Sequence, residues 1–238
     1  MLEMLTPQFY VAALQIIVID ILLGGDNAVV IALACRKLNA KQRNQGIFWG
    51  VFGAVGLRVI LIFFALKLLA LPFLKIIGGL LLLWIGVKLL LPEDDAHTSV
   101  ESSDSLWGAV KTIVIADAVM SLDNVIAVAG AAHGDMLLVV FGIAISIPII
   151  VWGSKLVMGL MDRFPMVITL GGGLLGWIAG HMMVTDIWAT PFLAAYPRWL
   201  HYPASVTGAL FVVIVGSLLA RRKIARQAAL AKEPRQED

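Results

Sequence analysis

Seven apolar segments constrain the fold of this 238-residue chain more than any other feature of its sequence. They lie at Tyr10–Ala34, Gly46–Leu69, Phe73–Leu91, Trp107–Ala132, Met136–Met161, Phe164–Val184 and Ala204–Ala220. A helix needs roughly 20 apolar residues to cross a hydrocarbon core, and lipid offers no hydrogen-bond partners to an open backbone. With 60% hydrophobic and 14% charged residues, the sequence predicts an all-α integral membrane protein, with seven transmembrane helices in a single domain of residues 1–238.

The distribution of basic residues predicts the orientation of these helices. Lys and Arg are concentrated in the first loop, at positions 36, 37, 41 and 43, and in the tail after the last segment. Because such residues favour the cytoplasmic side, we expect the amino terminus outside and the carboxyl terminus in the cytoplasm. No basic residue precedes the first segment, so we expect no cleavable signal peptide.

The chain divides into two related halves. Repeat 1 covers about residues 9–91 and repeat 2 about residues 107–185, with an acidic linker at 92–106, a seventh helix at 204–220 and a basic cytoplasmic tail at 221–238. Phe52-Gly53 recurs at an offset of 89 as Phe141-Gly142. At an offset of 93, Pro72, Gly78, Gly79, Trp84 and Ile85 of the first half recur as Pro165, Gly171, Gly172, Trp177 and Ile178 of the second. Three crossings per repeat predict a 3+3 inverted repeat plus a seventh helix, an arrangement typical of secondary transporters that bind substrate near the midplane.

Each half carries the same polar motif in its first segment. Asp20, Asp26 and Asn27 recur 97 positions later as Asp117, Asp123 and Asn124. Of the chain's 16 acidic residues, only these four aspartates lie deep within the apolar segments. A carboxylate at membrane depth is costly and is typical of a functional site.

The spacing within each motif restricts how the carboxylates are used. Positions six apart on a regular helix point about 120° away from each other. Either the helix is interrupted, or the two aspartates have separate roles. Gly24 and Gly25 would permit an unwound stretch in the first copy, whereas Ser121 and Leu122 occupy these positions in the second.

The six motif side chains offer hard oxygen ligands that suit a divalent cation. The thioether of Met120 could favour Mn²⁺, and Arg58, whose counterpart in the second half is Ile147, could neutralise one carboxylate of an empty site. Four crowded carboxylates should take up protons when the metal leaves, so we expect exchange of protons for metal. We expect membrane lipid as the surroundings, no tightly bound cofactor and no nucleic-acid partner; a homo-oligomer is compatible with the sequence.

The motifs D-x5-D-N-A-V-V-I-A-L-A and D-x5-D-N-V-x-A-V-A, together with the division after three segments, resemble the TerC family of integral membrane proteins, in particular its YjbE-like branch. The resemblance covers about residues 9–220. It implies a transporter of the bacterial inner membrane, with manganese export as its activity and the six motif residues as its metal site. Other branches of the family carry serine in place of the two asparagines.

Three alternatives remain open from the sequence. The first is efflux of another cation or an amino acid by a related fold. The second is an intramembrane aspartyl protease, although the G-x-G-D pattern of that class is absent because Leu23 stands at the first glycine position. The third is a scaffold for partner proteins, which predicts no effect on cellular metal. A non-enzymatic transporter is the interpretation that we carry forward.

Overall fold

The computed structural model describes residues 7–64, 67–68, 71–92, 102–131, 136–193 and 202–230, and these contain helices without strands. The helices are α1 (Pro7–Cys35), α2 (Ala40–Phe63), α3 (Leu74–Leu90), α4 (Ser102–Ala131), α5 (Met136–Arg163), α6 (Met166–Val184), the short α7 (Thr190–Leu193) and α8 (Tyr202–Leu230). Each predicted apolar segment therefore overlaps one helix of at least 17 residues.

Four of these helices, in the part of the chain that is described, are long and apolar enough to cross a membrane: α2, α5, α6 and α8. Helix α3 has 17 residues, one turn short of a typical span. Several helices differ in extent from the apolar segments that predicted them. Helix α4 begins at Ser102, within the predicted linker, and α8 continues to Leu230 because the Ala-, Arg- and Gln-rich stretch after residue 220 favours helix.

The outer surface of the bundle is apolar. Large side chains with high exposure include Phe52, Phe63 and Trp152, and Phe48 and Trp49 form an aromatic cluster with Phe52 on α2. A water-soluble protein rarely exposes apolar patches of this extent. In an integral membrane protein, side chains of this kind face lipid. The backbone polar groups do not need water there, because each helix satisfies them with its own hydrogen bonds.

The two halves of the chain interlock. Helix α1 packs mainly on α5, α2 on α4, and α3 on α6, while contacts between α1 and α2 or between α5 and α6 are sparse. Helix α8 packs along α6 and α3, with its backbone at Ala204 and Gly208 against Gly180 and Gly176. Small residues allow this close approach of membrane helices.

Glycines also set the registers of α2 on α4 and of α1 on α5. Ile113 of α4 packs on Gly50, where an added Cβ would lie 2.6 Å from its Cδ1 atom, and Ile16 of α1 packs on Gly142. Ile16 and Ile113 are 97 positions apart, the same offset that separates the two aspartate motifs. The four helices α1, α2, α4 and α5 thus enclose the centre of the bundle.

One end of the bundle, formed by the carboxyl ends of α1, α3, α5 and α8, carries many basic side chains, and we call it the basic end. Here Arg36 and Lys37 donate to the carbonyls of Leu89 and Leu91 at 2.9 and 2.6 Å, and Lys223 donates to Pro92 at 2.8 Å. Arg43 pairs with Asp162 at 3.6 Å. Cationic groups at a helix carboxyl terminus satisfy its free carbonyls and complement the helix dipole.

At the opposite end, Asp186 caps the start of α3. Its carboxylate is 1% exposed and accepts from the backbone N–H groups of Phe73, Lys75, Ile76 and Trp188 at 3.0, 3.0, 3.4 and 2.8 Å. Burial raises the pKa of Asp186, but these four N–H donors together outweigh it, so the pKa lies below its usual value. The cap ties the segment after α6 to the first turn of α3.

Candidate metal site in the bundle core

A small cavity lies where α1, α2, α4 and α5 meet. Its polar lining consists of Asn27, Arg58 and Asp117, and the remainder is apolar, including Ile31, Ile113, Val51 and Ile150. Its volume is about 10 Å³, which is close to the minimum for a single water molecule. The cavity therefore suits one small particle rather than an extended ligand.

A buried ion pair forms one side of the cavity. Arg58 is 4% exposed, Asp117 is buried, and the guanidinium donates to Oδ1 of Asp117. Ser121, one turn further along α4, accepts from Nε of Arg58 at 3.0 Å and donates to Oδ2 of Asp117 at 3.3 Å. Arg58, which the sequence indicated as a counter-ion for one carboxylate, is thus held against Asp117 by a second hydrogen bond.

Polar atoms without hydrogen-bond partners lie at Asn27, which lines the cavity, and at its neighbour Asp26. Asn27 is 4% exposed, and neither its Oδ1 nor its Nδ2 atom has a partner in the described part of the chain. The same holds for Oδ1 of Asp26. Since buried polar groups are nearly always paired, these atoms are candidates for contact with a ligand.

The charges around the cavity favour a cation. Asp26 lies within electrostatic range of both Asp117 and Arg58. Two carboxylates and one guanidinium leave one negative charge among the charged side chains that the structure describes there. In a buried site, that charge attracts a cation strongly because little solvent screens it.

Helix α1 is not interrupted between the two aspartates, so the first of the two alternatives from the sequence is wrong. Helix α1 is continuous from Pro7 to Cys35 through Gly24 and Gly25, and α4 is continuous through Ser121. An added Cβ at Gly25 would meet no atom within 4 Å, so this glycine is not needed for close packing. Intact helical hydrogen bonds are strongly favoured in a membrane, and two glycines alone do not outweigh them. Positions 20 and 26 therefore point about 120° apart, and the alternative of separate roles for the two aspartates remains.

The structure describes some of the other predicted site residues and leaves the rest undescribed at side-chain level. The side chains of Asp20 and Asp123, and position 24, lie outside the part of the structure that is described at side-chain level. Met120 is buried in the core cluster, and Asn124 is half-buried with an interaction partner. Among the described residues, no three His, Cys, Asp or Glu side chains form a metal-binding group, so the four-carboxylate arrangement remains a prediction.

The apolar wall of the cavity was not anticipated from the sequence. Ile31 lies four residues after Asn27, and Ile113 four residues before Asp117. Residues four apart share a helix face, so this spacing from each polar residue was the available signal. The wall separates the polar atoms from lipid and makes each of them more costly to leave unpaired.

Comparisons with known proteins identify a family of integral membrane proteins. The model of the integral membrane protein TerC family matches residues 5–224. The chain is 48% identical to the membrane protein YjbE of Bacillus subtilis over 188 residues, which cover 79% of this chain and 86% of that protein. It is 24% identical to the membrane protein YceF of B. subtilis over 92% of this chain and 86% of YceF. Its identity to the inner membrane protein YgdQ of Escherichia coli is 23%, over 68% of this chain and 75% of YgdQ. No solved structure matches the chain.

Proposed function

Because this chain belongs to the TerC family of integral membrane proteins, we propose that it is a transporter that exports a divalent metal ion, Mn²⁺ first among the candidates, by alternating access. The observation that carries this proposal is that the Oδ1 atoms of Asp26 and Asn27 are unpaired in the described part of the chain, and that Asn27 lines one cavity with Asp117. Carboxylate and amide oxygens are hard ligands that suit Mn²⁺, Mg²⁺ and Ca²⁺. Asp20, Asp123 and Asn124, the symmetry-related members of the motif, stay among the proposed metal residues, and because α1 and α4 are continuous helices we assign Asp20 and Asp123 a role separate from that of Asp26 and Asp117.

The size of the cavity favours a metal ion over the organic alternatives. Pockets for small organic ligands usually have volumes of roughly 300–1,000 Å³. The volume of this cavity is about 10 Å³. A dehydrated metal ion is smaller than a water molecule. An amino acid or organic cation would require the four surrounding helices to separate.

The packing of the halves supports an inverted repeat that changes conformation around the site. Helices α1, α2 and α3 of the first half correspond to α4, α5 and α6 of the second. If each helix is replaced by its counterpart, the contact between α1 and α5 becomes the contact between α4 and α2, and the contact between α3 and α6 is unchanged. Ile16 packs on Gly142, and its counterpart Ile113 packs on Gly50, one turn from Gly53. Rocking of two such halves around a midplane site is the usual basis of alternating access.

The basic end supports an orientation with that end in the cytoplasm. Most basic side chains of the described residues lie there, including Arg36, Arg43 and those after position 220, whereas Lys67 and Lys75 lie towards the opposite end. The positive-inside rule then places the amino terminus outside and the carboxyl terminus inside. The name of YgdQ as an inner membrane protein supports the same membrane for this chain.

We further propose that protons move against the metal. Carboxylates crowded in a site of low dielectric cannot all remain charged once the cation leaves. Protons and metal then compete for the same oxygens. An inward proton gradient would drive export, because external acid promotes release of the metal outside.

The test is metal content in cells that lack or overproduce the protein, measured for Mn, Mg, Ca and Zn together. Loss of the protein should raise manganese, and overproduction should lower it. Asp26→Asn and Asp117→Asn should abolish the effect, while Asp162→Asn, a matched change at a more exposed carboxylate of the basic end, should not. Unchanged metal contents at equal protein levels would refute export. Cleavage of a membrane substrate that depends on the aspartates would instead identify a protease.

A further inference from the structure

Arg58 occupies the position at which a metal ion bound to Asp117 would lie in the proposed transporter. Its guanidinium donates to Oδ1 of Asp117 on the wall of the same cavity that Asn27 lines. A cation cannot bind this carboxylate at full strength while the guanidinium holds it. The two positive charges would also repel each other across a short distance with little screening.

The network around Arg58 breaks the symmetry of the two repeats. Asp117 corresponds to Asp20, but Ile147 stands at the position equivalent to Arg58, and Gly24 stands at the position equivalent to Ser121. Both the arginine and the serine that fixes its Nε atom at 3.0 Å are therefore specific to one half of the site. Two differences that meet in one hydrogen-bonded network indicate a role that only this half has.

We propose that Arg58 is a tethered competitor of the transported cation, which holds Asp117 when the site is empty and releases it when the metal binds. Asp26 and Asn27 receive the ion first because the Oδ1 atom of each is unpaired in the described part of the chain. Asp117 then exchanges the guanidinium for the metal. Ser121 sets the strength of the competition by holding the guanidinium in place.

The exchange has a consequence for transport. After the metal is released, the metal-free carrier must change conformation so that its site faces the cytoplasm again. An uncompensated buried carboxylate makes this conformational change costly. Arg58 compensates Asp117 during the return. The arginine therefore weakens metal binding and speeds the return of the empty carrier, two effects that a purely structural ion pair does not combine.

The test rests on the proposed function and uses the purified full-length chain, with MnCl2 as the probe. Binding is measured by the loss of the electron paramagnetic resonance signal of free Mn²⁺. Arg58→Met should bind Mn²⁺ tighter by about tenfold or more, since it removes one nearby positive charge. Ser121→Ala should act in the same direction by a smaller factor. Arg58→Lys should remain closer to the wild type, and Lys155→Met, which removes an exposed positive charge on α5, should not change binding.

Proteoliposomes test the second effect. Arg58→Met should slow net manganese efflux, which requires return of the empty carrier, but preserve exchange of radioactive manganese between two loaded faces. In an Asp117→Asn background, Arg58→Met should have a smaller effect on affinity, because competition for the shared carboxylate is gone and only the repulsion between the two positive charges remains.

Each outcome decides between the two roles of Arg58. Equal or weaker Mn²⁺ binding by both Arg58→Met and Ser121→Ala would overturn the proposal and leave Arg58 as a structural partner of α4. If Arg58→Met does not fold, Ser121→Ala still decides, because the other repeat already has a smaller residue at that position. A wild-type protein that binds no divalent cation would overturn the proposed function together with the tethered competitor. Tight binding by the wild type with no effect of the variants would overturn the competitor alone.

Discussion

Replacing Asn27 with leucine should stabilise the metal-free protein and abolish metal transport. The Asn27 side chain is almost fully buried, and both of its polar atoms lack partners among the described residues. Its surroundings include Val30, Ile31 and Val51, so leucine would meet an apolar wall. The same substitution removes an oxygen that the proposed site requires.

The size of the stabilisation follows from the desolvation of the amide. A buried polar group without a partner costs about 1–3 kcal/mol. Leucine removes that cost and is also a better helix former than asparagine within α1. We therefore expect a gain of about 1–3 kcal/mol, and a change of 1 kcal/mol shifts the melting temperature by about 2–4 °C in a domain of this size.

Thermal unfolding of the purified protein in detergent, followed by tryptophan fluorescence, measures this gain. Asn124→Leu is the matched control, because Asn124 is the counterpart of Asn27 and has an interaction partner; it should lower the melting temperature. If Asn27→Leu lowers the melting temperature as much as Asn124→Leu does, Asn27 is paired in the folded protein and our interpretation of the cavity is wrong. A stabilised Asn27→Leu variant that exports manganese normally would remove Asn27 from the site.

Four further outcomes test the rest of the proposals. Alanine at any one of the four motif aspartates should abolish metal movement in a protein that still inserts, because it removes a proposed metal ligand, a loss comparable to the about 3–5 kcal/mol for breaking a buried ion pair. The proposed site fails if three of the four variants protect cells from excess manganese as well as the parent. Reporters should read outside at the amino terminus and inside at residues 36–43, 93–104 and the tail, and a linker that reads outside would remove the inverted relation between the halves. Asp186→Ala should lower stability by about 1–3 kcal/mol, as it leaves backbone N–H groups unpaired. Because the pKa of Asp186 is lowered on folding, its contribution is full above the ordinary carboxyl pKa of about 4 and is lost as the pH falls through the lower folded value; a difference between Asp186→Asn and the wild type that persists unchanged to the lowest accessible pH would contradict this. In liposomes with an internal pH dye, manganese flux should move protons and slow as the pH on the binding side falls, whereas equal flux from about pH 6 to pH 8 with no proton movement would indicate a uniporter or channel.

The sequence predicted the helices well because their signal is local. Lipid requires each membrane helix to be apolar over its full length, so the segments can be read without knowledge of their neighbours. The ends are less accurate: the predicted end of the second segment at Leu69 lies beyond the observed end of α2 at Phe63. Phe73, at the start of α3, adopts a left-handed conformation with φ of 66°, and no sequence rule indicates this for a bulky residue. The cap by Asp186 comes from a segment 111 residues away from Lys75, and such a distant partner has no local signature.

The candidate site was predictable only to the level of its motif. The repeated aspartates and asparagines are visible in the sequence, and Asn27 and Asp117 indeed line one cavity. The pairing of Arg58 with Asp117 depends on the register of α2 against α4, which the contacts of Gly50 and Gly53 with Ile113 and Val114 set. Packing of this kind arises only when the helices meet.

Two polar residues of the cavity differ in their hydrogen bonding, and this difference links stability to transport. Asn27 is unpaired, and this raises the free energy of the empty site, whereas the bond between Asp117 and Arg58 lowers it. A metal ion that binds the folded protein recovers the cost at Asn27 and must also break or loosen the bond to Arg58. Ligand binding stabilises a folded protein by an amount that grows with ligand concentration over its dissociation constant. Manganese should therefore raise the melting temperature of the wild type and raise it more in Ser121→Ala, where the arginine is held less tightly, but leave Asn27→Leu unchanged. Equal shifts in all three proteins would mean that the ion binds elsewhere and that neither side of this cavity contributes to its affinity.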